Sequence, residues 1–230
     1  MKIKAIVMRD NPISENAWSN LKKSFYRFNP DLKIERVDAI TAEEVNYFKE
    51  FYHVEWNYPW TDKVTDFKNG LVKTAYKTSN PKARVAAALS HYKLWLDCLK
   101  SREPFIILEH DALWLRKLDF LADDTTFDIL GLNSPMNATR KASVFHNIIQ
   151  ERKDRFQKVP RIDEPLVPQG LAGNSAYMMK PRAAKQMIEL VRENGLWPND
   201  AIMCYQLFPN MGVTKRYYTK VQGTRSTTTL

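Results

Sequence analysis

The segment Phe105-Ile106-Ile107-Leu108-Glu109-His110-Asp111-Ala112-Leu113-Trp114-Leu115 runs an unbroken apolar stretch into two carboxylates one residue apart. Residues 105–108 are β-branched, aromatic and aliphatic without interruption, the pattern of a strand buried on both faces, as in a parallel sheet. In extended backbone, residues i and i+2 point the same way, which places Glu109 and Asp111 on one side and His110 on the other. Two aligned carboxylates at the mouth of a buried strand form a hard-oxygen site suited to Mg2+ or Mn2+, above all one shared with a diphosphate. In open α/β sheets, ligands bind in the crevice beyond the carboxyl ends of the strands. The plainer reading is that both acids simply end the strand and face water.

Working outward, alternating strands and helices surround that stretch. Residues 2 to 9 read as a central strand, and Trp18, Leu21, Phe25 and Phe28 recur at helical spacing over 14 to 28. Lys33-Ile34-Glu35-Arg36-Val37-Asp38 alternates as a second strand, and Thr41-Ala42-Glu43-Glu44 is a capping box for a helix to about Tyr52. Residues 53 to 80 form a long surface excursion. Its Trp56, Tyr58, Trp60 and Phe67 either tuck under the loop as a minor core or stack on a base or sugar ring. A helix over 83 to 100 carries the stripe Val85, Leu89, Tyr92, Leu96 and Leu99, with Pro81 at its start. Further strands are expected at 127–132, 176–179 and 213–219. Helices are expected around 143–157, from Pro181 to about Asn194 with Gly195 ending it, and from an Asn199 N-cap. This order predicts one α/β domain over residues 1 to 230, with a mostly parallel central sheet flanked by helices.

Composition narrows the class. In 230 residues, 44% hydrophobic and 12% aromatic content describes a folded globular chain, and seven Gly with 12 Pro exclude collagenous or low-complexity sequence. No apolar run reaches the roughly 18 residues of a membrane span, and residues 1–10 lack the apolar core of a signal peptide; a cytoplasmic protein is expected. Cys98 and Cys204 are too few for a disulfide framework and read as buried thiols. Net charge is +9. Between Arg140 and Arg161 seven basic residues stand against two acids. Such a segment is either a solvated helix face or the footprint of a polyanionic partner: nucleic acid, lipopolysaccharide or an anionic membrane.

Taken together, the blocks resemble glycosyltransferase family 25, which includes lipopolysaccharide sugar transferases, collagen galactosyltransferases and phage-encoded relatives. Ile6-Val7-Met8-Arg9 and Glu35-Arg36-Val37-Asp38-Ala39 look like the family's opening nucleotide-side strands. Ala88-Leu89-Ser90-His91 with Leu94-Trp95 is similar to its leucine-serine-histidine helix, and Ile107-Leu108-Glu109-His110-Asp111 to its acidic metal motif. Gly173-Asn174-Ser175-Ala176-Tyr177 with Ala183-Ala184-Lys185, then Pro198-Asn199-Asp200, resemble its late blocks. His110 stands where the family has an aspartate, and Ala83, Arg84 and Ala86 stand in place of glycines and an acid.

The resemblance implies a GT-A fold, a nucleotide-diphosphate sugar donor of the UDP-sugar type, Mn2+ or Mg2+, and inversion at the anomeric carbon. It implies Asp111 as metal ligand, with Glu109 beside it as a second ligand or as a partner of metal-bound water or a donor ribose hydroxyl. Asp200 is the candidate general base, and equally a plain first-turn acid. Of Ser90 and His91, one would reach the donor, His91 with a catalytic role, although a packing histidine is the commoner outcome. Arg9 and Arg84 suit donor phosphates and Asp38 the nucleotide side. Gly173 would let backbone approach the sugar, with Tyr177 either next to it or in the core. For the acceptor, the charge narrowly favours hydroxymethylated bases in phage-type DNA, placing the enzyme in the host cytoplasm, over lipopolysaccharide core. A non-catalytic nucleic-acid-binding protein on a degenerate transferase fold, and a metal-dependent hydrolase, are the competing classes.

Overall fold

The computed structural model describes residues 1–139 and 141–223. In chain order the elements are β1 (Lys2–Val7), α1 (Pro12–Phe28), β2 (Ile34–Asp38), α2 (Val45–Tyr52), β3 (Val64–Thr65), β4 (Val72–Lys73), α3 (Pro81–Ser101), β5 (Phe105–Glu109) and β6 (Ala112–Trp114). A 3-10 turn at Ala122–Asp124 leads to β7 (Ile129–Gly131), α4 (Ala142–Glu151), β8 (Phe156–Lys158), β9 (Ala176–Met179), α5 (Pro181–Asn194), α6 (Asn199–Ile202), β10 (Met211–Thr214) and β11 (Thr219–Val221). Local chemistry sets the helix starts. Asn11 and Asn80 each accept a hydrogen bond from the third residue on, Ser14 and Ala83, at 3.0 Å, and Pro12, Pro81 and Pro181 each stand at a helix start.

The main sheet has seven strands in the order β2-β1-β5-β9-β7-β10-β8. β2, β1, β5, β7 and β10 run one way, and β9 and β8 are reversed. The α/β class and the mostly parallel central sheet are therefore as expected. β5 lies between β1 and β9, and no residue from Phe105 to Leu108 is more than 1% exposed. Its side chains alternate between two cores. Phe105 and Ile107 join α3 and α5, while Ile106 and Leu108 join α1 and the β6–β11 ribbon.

Several boundaries differ from expectation, each for a local reason. The expected helix over 143–157 stops at Glu151, and Phe156–Lys158 instead pairs antiparallel with β10 as the sheet's edge. The expected strand at 213–219 is two strands, because the chain turns at Lys215 and then pairs with β6, whose Ala112 and Trp114 are buried. Asn199 is the first helical residue rather than the cap, since extended Pro198 occupies the cap. In the 53–80 excursion the minor-core reading holds for three aromatics. Trp56 stacks on Trp60 at 4.8 Å and Tyr58 packs on Trp197, whereas Phe67 is 95% exposed. Cys98 and Cys204 are buried, and burial pushes their thiols up to about 12 and about 11. Among the described residues no helix is long and apolar enough to cross a membrane. Of the basic segment, Arg140 lies outside the described residues.

Candidate active site

β1 and β5 are parallel and β9 antiparallel, so the ends of the first two and the start of the third meet at one edge of the sheet. A cleft of about 810 Å3 opens there. Glu109, the last residue of β5, and Asp111 both line it. So does His110, contrary to the expected alternation, because the strand ends at Glu109 and residues 110–111 turn.

A buried relay orients Glu109. Trp95 Nε1 donates to the Tyr177 hydroxyl at 2.9 Å, the hydroxyl lies 2.9 Å from His91 Nδ1, and His91 Nε2 lies 3.1 Å from Glu109 Oε1. Indole N–H is only a donor, which leaves the tyrosine proton for Nδ1 and places the imidazole N–H on Nε2, toward the carboxylate. Burial disfavours the Glu109 charge, but the His91 hydrogen bond, with the Arg84 guanidinium nearby, outweighs it and holds the carboxyl below its ordinary value. Asp111 has the opposite fate. Burial and the Glu109 charge push its carboxyl up to about 7, although Ser175 donates a hydrogen bond to it, and its Oδ1 is buried with no partner.

Arg84 and Asp200, from the first turns of α3 and α6, also line the cleft. The Arg84 guanidinium sits 3.9 Å from the centre of the Tyr76 ring, and its Nε is buried without a partner. Asp200 is exposed to the cleft. Desolvation by the surrounding protein nonetheless raises its carboxyl, with Arg84 opposing the shift and Glu109 adding to it.

Of the other expected residues, Arg9, Ser90, His91 and Gly173 also line the cleft, whereas Asp38 and Tyr177 do not. Arg9 lines the cleft, but Nη2 is 3.0 Å from Glu44 and Nε 3.8 Å from Asp38. Asp38 lies outside the cleft lining and also takes a bond from Arg36 Nε at 3.1 Å. Ser90 accepts from the Ile40 N–H and donates to the Ala86 carbonyl, so it pins the β2–α2 connection to α3. Tyr177 is fully buried and can act only through His91. Gly173 has φ +91°, and a Cβ there would meet Ala138 at 2.6 Å, so this glycine lets the 133–138 segment pack against it at the cleft wall.

Sequence reading gave Asn174 and Ser175 no role beyond their place in a family-like block, and missed Gly170. Asn174 is 7% exposed, lines the cleft, and neither amide atom has a partner. A Cβ on Gly170 would lie 2.0 Å from the Met203 carbonyl, so this glycine lets the 169–175 segment lie against α6. The signal for it was the turn-forming Pro168-Gln169-Gly170.

With this geometry in hand, residues 18–203 match the sequence model of glycosyltransferase family 25, described as LPS biosynthesis protein. The chain belongs to glycosyltransferase family 25. Among solved structures it is similar to a galactosyltransferase, LgtC, in complex with donor and acceptor sugar analogs, at 12% identity, TM-score 0.43, covering 93% of this chain and 73% of that one. It is also similar to mouse xyloside xylosyltransferase 1 in its apo form, at 8% identity, TM-score 0.46, covering 91% and 83%. No curated protein matches.

The acids of this family-25 transferase fit a hard divalent cation. Two carboxylates repel each other, and one keeps an orphaned buried oxygen, the donor chemistry such an ion takes. Among the described residues no three His, Cys, Asp or Glu side chains converge as a metal-holding group.

Proposed function

We propose that this family-25 enzyme transfers a sugar from a nucleotide-diphosphate donor, of the UDP-sugar type, to a hydroxyl of a lipopolysaccharide-type acceptor, with inversion, using Mn2+ or Mg2+ held by Asp111 and Glu109. The observation that carries this reading is the orphaned Asp111 Oδ1, beside Glu109, in the cleft that Arg84 and Asp200 share. When bound, the cation supplies Lewis-acid stabilisation of the charge that develops on the departing diphosphate.

The chain's own groups do the rest. The N-terminal end of α3 and the Arg84 guanidinium favour an anion in the cleft. Ala83, Ala86 and Ala87 keep that helix face low, so a ligand can lie close to it. Asp200, with a raised carboxyl open to water, takes the acceptor hydroxyl's proton as the general base. His91 positions Glu109 and does not itself need to meet the donor. Arg9, already shared by Glu44 and Asp38, borders the nucleotide side as part of an ion-pair network.

The family's description favours lipopolysaccharide as acceptor. The basic segment that pointed toward DNA is partly neutralised within the protein, Lys141 by Asp163 and Arg155 by Asp119. A hydroxymethylated base then draws its support from net charge alone. Incubation with a panel of nucleotide sugars and Mn2+ should give slow donor hydrolysis that Asp111→Ala abolishes. Hydrolysis surviving that change removes the assigned site. A salt series of gel shifts with modified and plain DNA separates the acceptors, and salt-sensitive preference for modified DNA would displace lipopolysaccharide.

A further inference from the structure

A second, smaller cavity of about 380 Å3 is lined by Arg116, Lys153, Arg155, Lys215 and Arg216, with Asp119 as its only acid. Asp154, between two of these bases in the chain, is not part of the lining. The wiring inside accounts for some of the charge and leaves the rest open. Asp119 accepts from Arg155 Nη2 at 2.6 Å and from the Tyr218 hydroxyl, and lies 3.8 Å from Arg116 Nη2. Arg116 also lies over the Tyr218 ring, and Lys215 Nζ donates to the Arg152 carbonyl at 2.5 Å. One carboxylate thus organises two guanidinium groups. Lys153 and Arg216 have no hydrogen-bond or ion-pair partner among the described residues, and Arg116 Nε is buried without one.

Concentrating like charges in a cavity costs free energy unless an anion fills it, and forked guanidinium groups beside lysines match phosphate oxygens. The location is informative as well. β10 runs with β5, so Lys215 and Arg216 leave the sheet at the same edge as Glu109. The β6–β11 ribbon connects the two sites. Val221 pairs with Ala112, next to Asp111, and Thr219 pairs with Trp114, just before Arg116. Asp111 and Arg116 are five residues apart across the three-residue strand β6, so their backbones lie within about 17 Å of each other.

We infer that this basic cavity is an acceptor subsite, which binds a phosphate group carried by the acceptor at a distance from the hydroxyl that receives the sugar. The inference rests on the transferase reading above, yet phosphate binding here can be measured without turnover. Inorganic pyrophosphate is titrated calorimetrically into the full chain in chelator, with wild type and the Lys153→Glu/Arg216→Glu double variant compared. A saturable event is expected that is weakened at least tenfold in the double variant and retained in Asp111→Ala and in Arg84→Ala, apart from any separate event at the cleft that Arg84→Ala removes. Unchanged binding in the double variant, or a single event that disappears in Arg84→Ala instead, overturns the inference.

Two further arms identify the source of the phosphate. With lipopolysaccharide core as acceptor, phosphatase treatment should raise KM about tenfold and change kcat less than twofold; equal KM values overturn the acceptor assignment. Capture by anionic phospholipid vesicles that depends on Lys153 and Arg216, without pyrophosphate binding, also overturns it in favour of a membrane headgroup. Absence of donor hydrolysis by wild type counts against the transferase reading alone and leaves the pyrophosphate result standing.

Discussion

Two carboxylates in this molecule are held in opposite ways. Asp66, in the 53–80 excursion, is buried but fully matched. It accepts from Lys73 Nζ at 3.1 Å and from the Lys68 N–H at 3.0 Å, and although burial opposes its charge, these partners hold the carboxyl below its ordinary value. Lys73 is matched too, donating to the Asn57 carbonyl at 2.9 Å and lying over the Trp197 ring. Asp111 has a like-charged neighbour, an oxygen without a partner and a carboxyl pushed up to about 7. The first arrangement fastens the excursion beside α5. The second leaves a buried acid without a matching partner inside the protein, and groups of that kind cluster at functional sites.

The contrast is broken most directly at Asp111. Asp111→Asn should lower nucleotide-sugar turnover about a thousandfold, as losing a transition-state charge contact does, while urea denaturation shows unchanged or higher stability. A large loss of stability would mean that Asp111 is a structural acid like Asp66. The converse change, Lys73→Met, should cost about 3–5 kcal/mol by leaving Asp66 buried and unpaired, with turnover per folded molecule close to wild type. A cost near zero would show that the ion pair is dispensable.

The pH dependence of stability sharpens the same contrast, because the two shifts have opposite signs. For Asp66 the folded carboxyl is lowered, so its contribution is present above the ordinary carboxylate range and is lost as pH falls through the folded value. For Asp111 the folded value, about 7, exceeds the ordinary 3.8, so its contribution is full below 3.8 and is lost as pH rises through 7. Metal-free protein should therefore lose stability between pH 5 and 8, and Asp111→Asn should flatten that slope. Mn2+ should raise Tm more at pH 8 than at pH 5; equal shifts would mean that the ion binds elsewhere. The smallest effect is expected at the relay. Tyr177→Phe leaves Trp95 Nε1 and His91 Nδ1 without their shared partner, and should cost about 1–3 kcal/mol of stability with a two- to tenfold loss of turnover. Turnover at the wild-type level would detach Tyr177 from the orientation of Glu109.

Much of this was legible along the chain. The buried strand at 105–109, the α3 stripe, the Pro and Asn helix starts and the Gly195 stop are local signals, and each appears in the fold. What failed had both local and distant causes. His110 did not alternate away from the acids because the strand stops one residue before it. Residues 213–219 did not stay in one strand because the partner for 219–221 is β6, distant in sequence. Asn174 stands in a block that resembles the family, yet nothing local marks it as a cleft residue; its amide is left without partners only once the fold closes over it.

The sequence by itself determined the α/β alternation, the position of the acidic pair at a strand end and the family, since these depend on periodicity and on short motifs whose residues are neighbours in the chain. Only the tertiary structure decided that Glu109 is matched by His91 while Asp111 is not, that Tyr177 acts from within the core, and that five bases from three stretches of chain ring one cavity. The physical reason is that charge, burial and hydrogen bonding are set by whichever groups lie within a few ångströms, and for these residues nearly all of those groups come from distant parts of the chain.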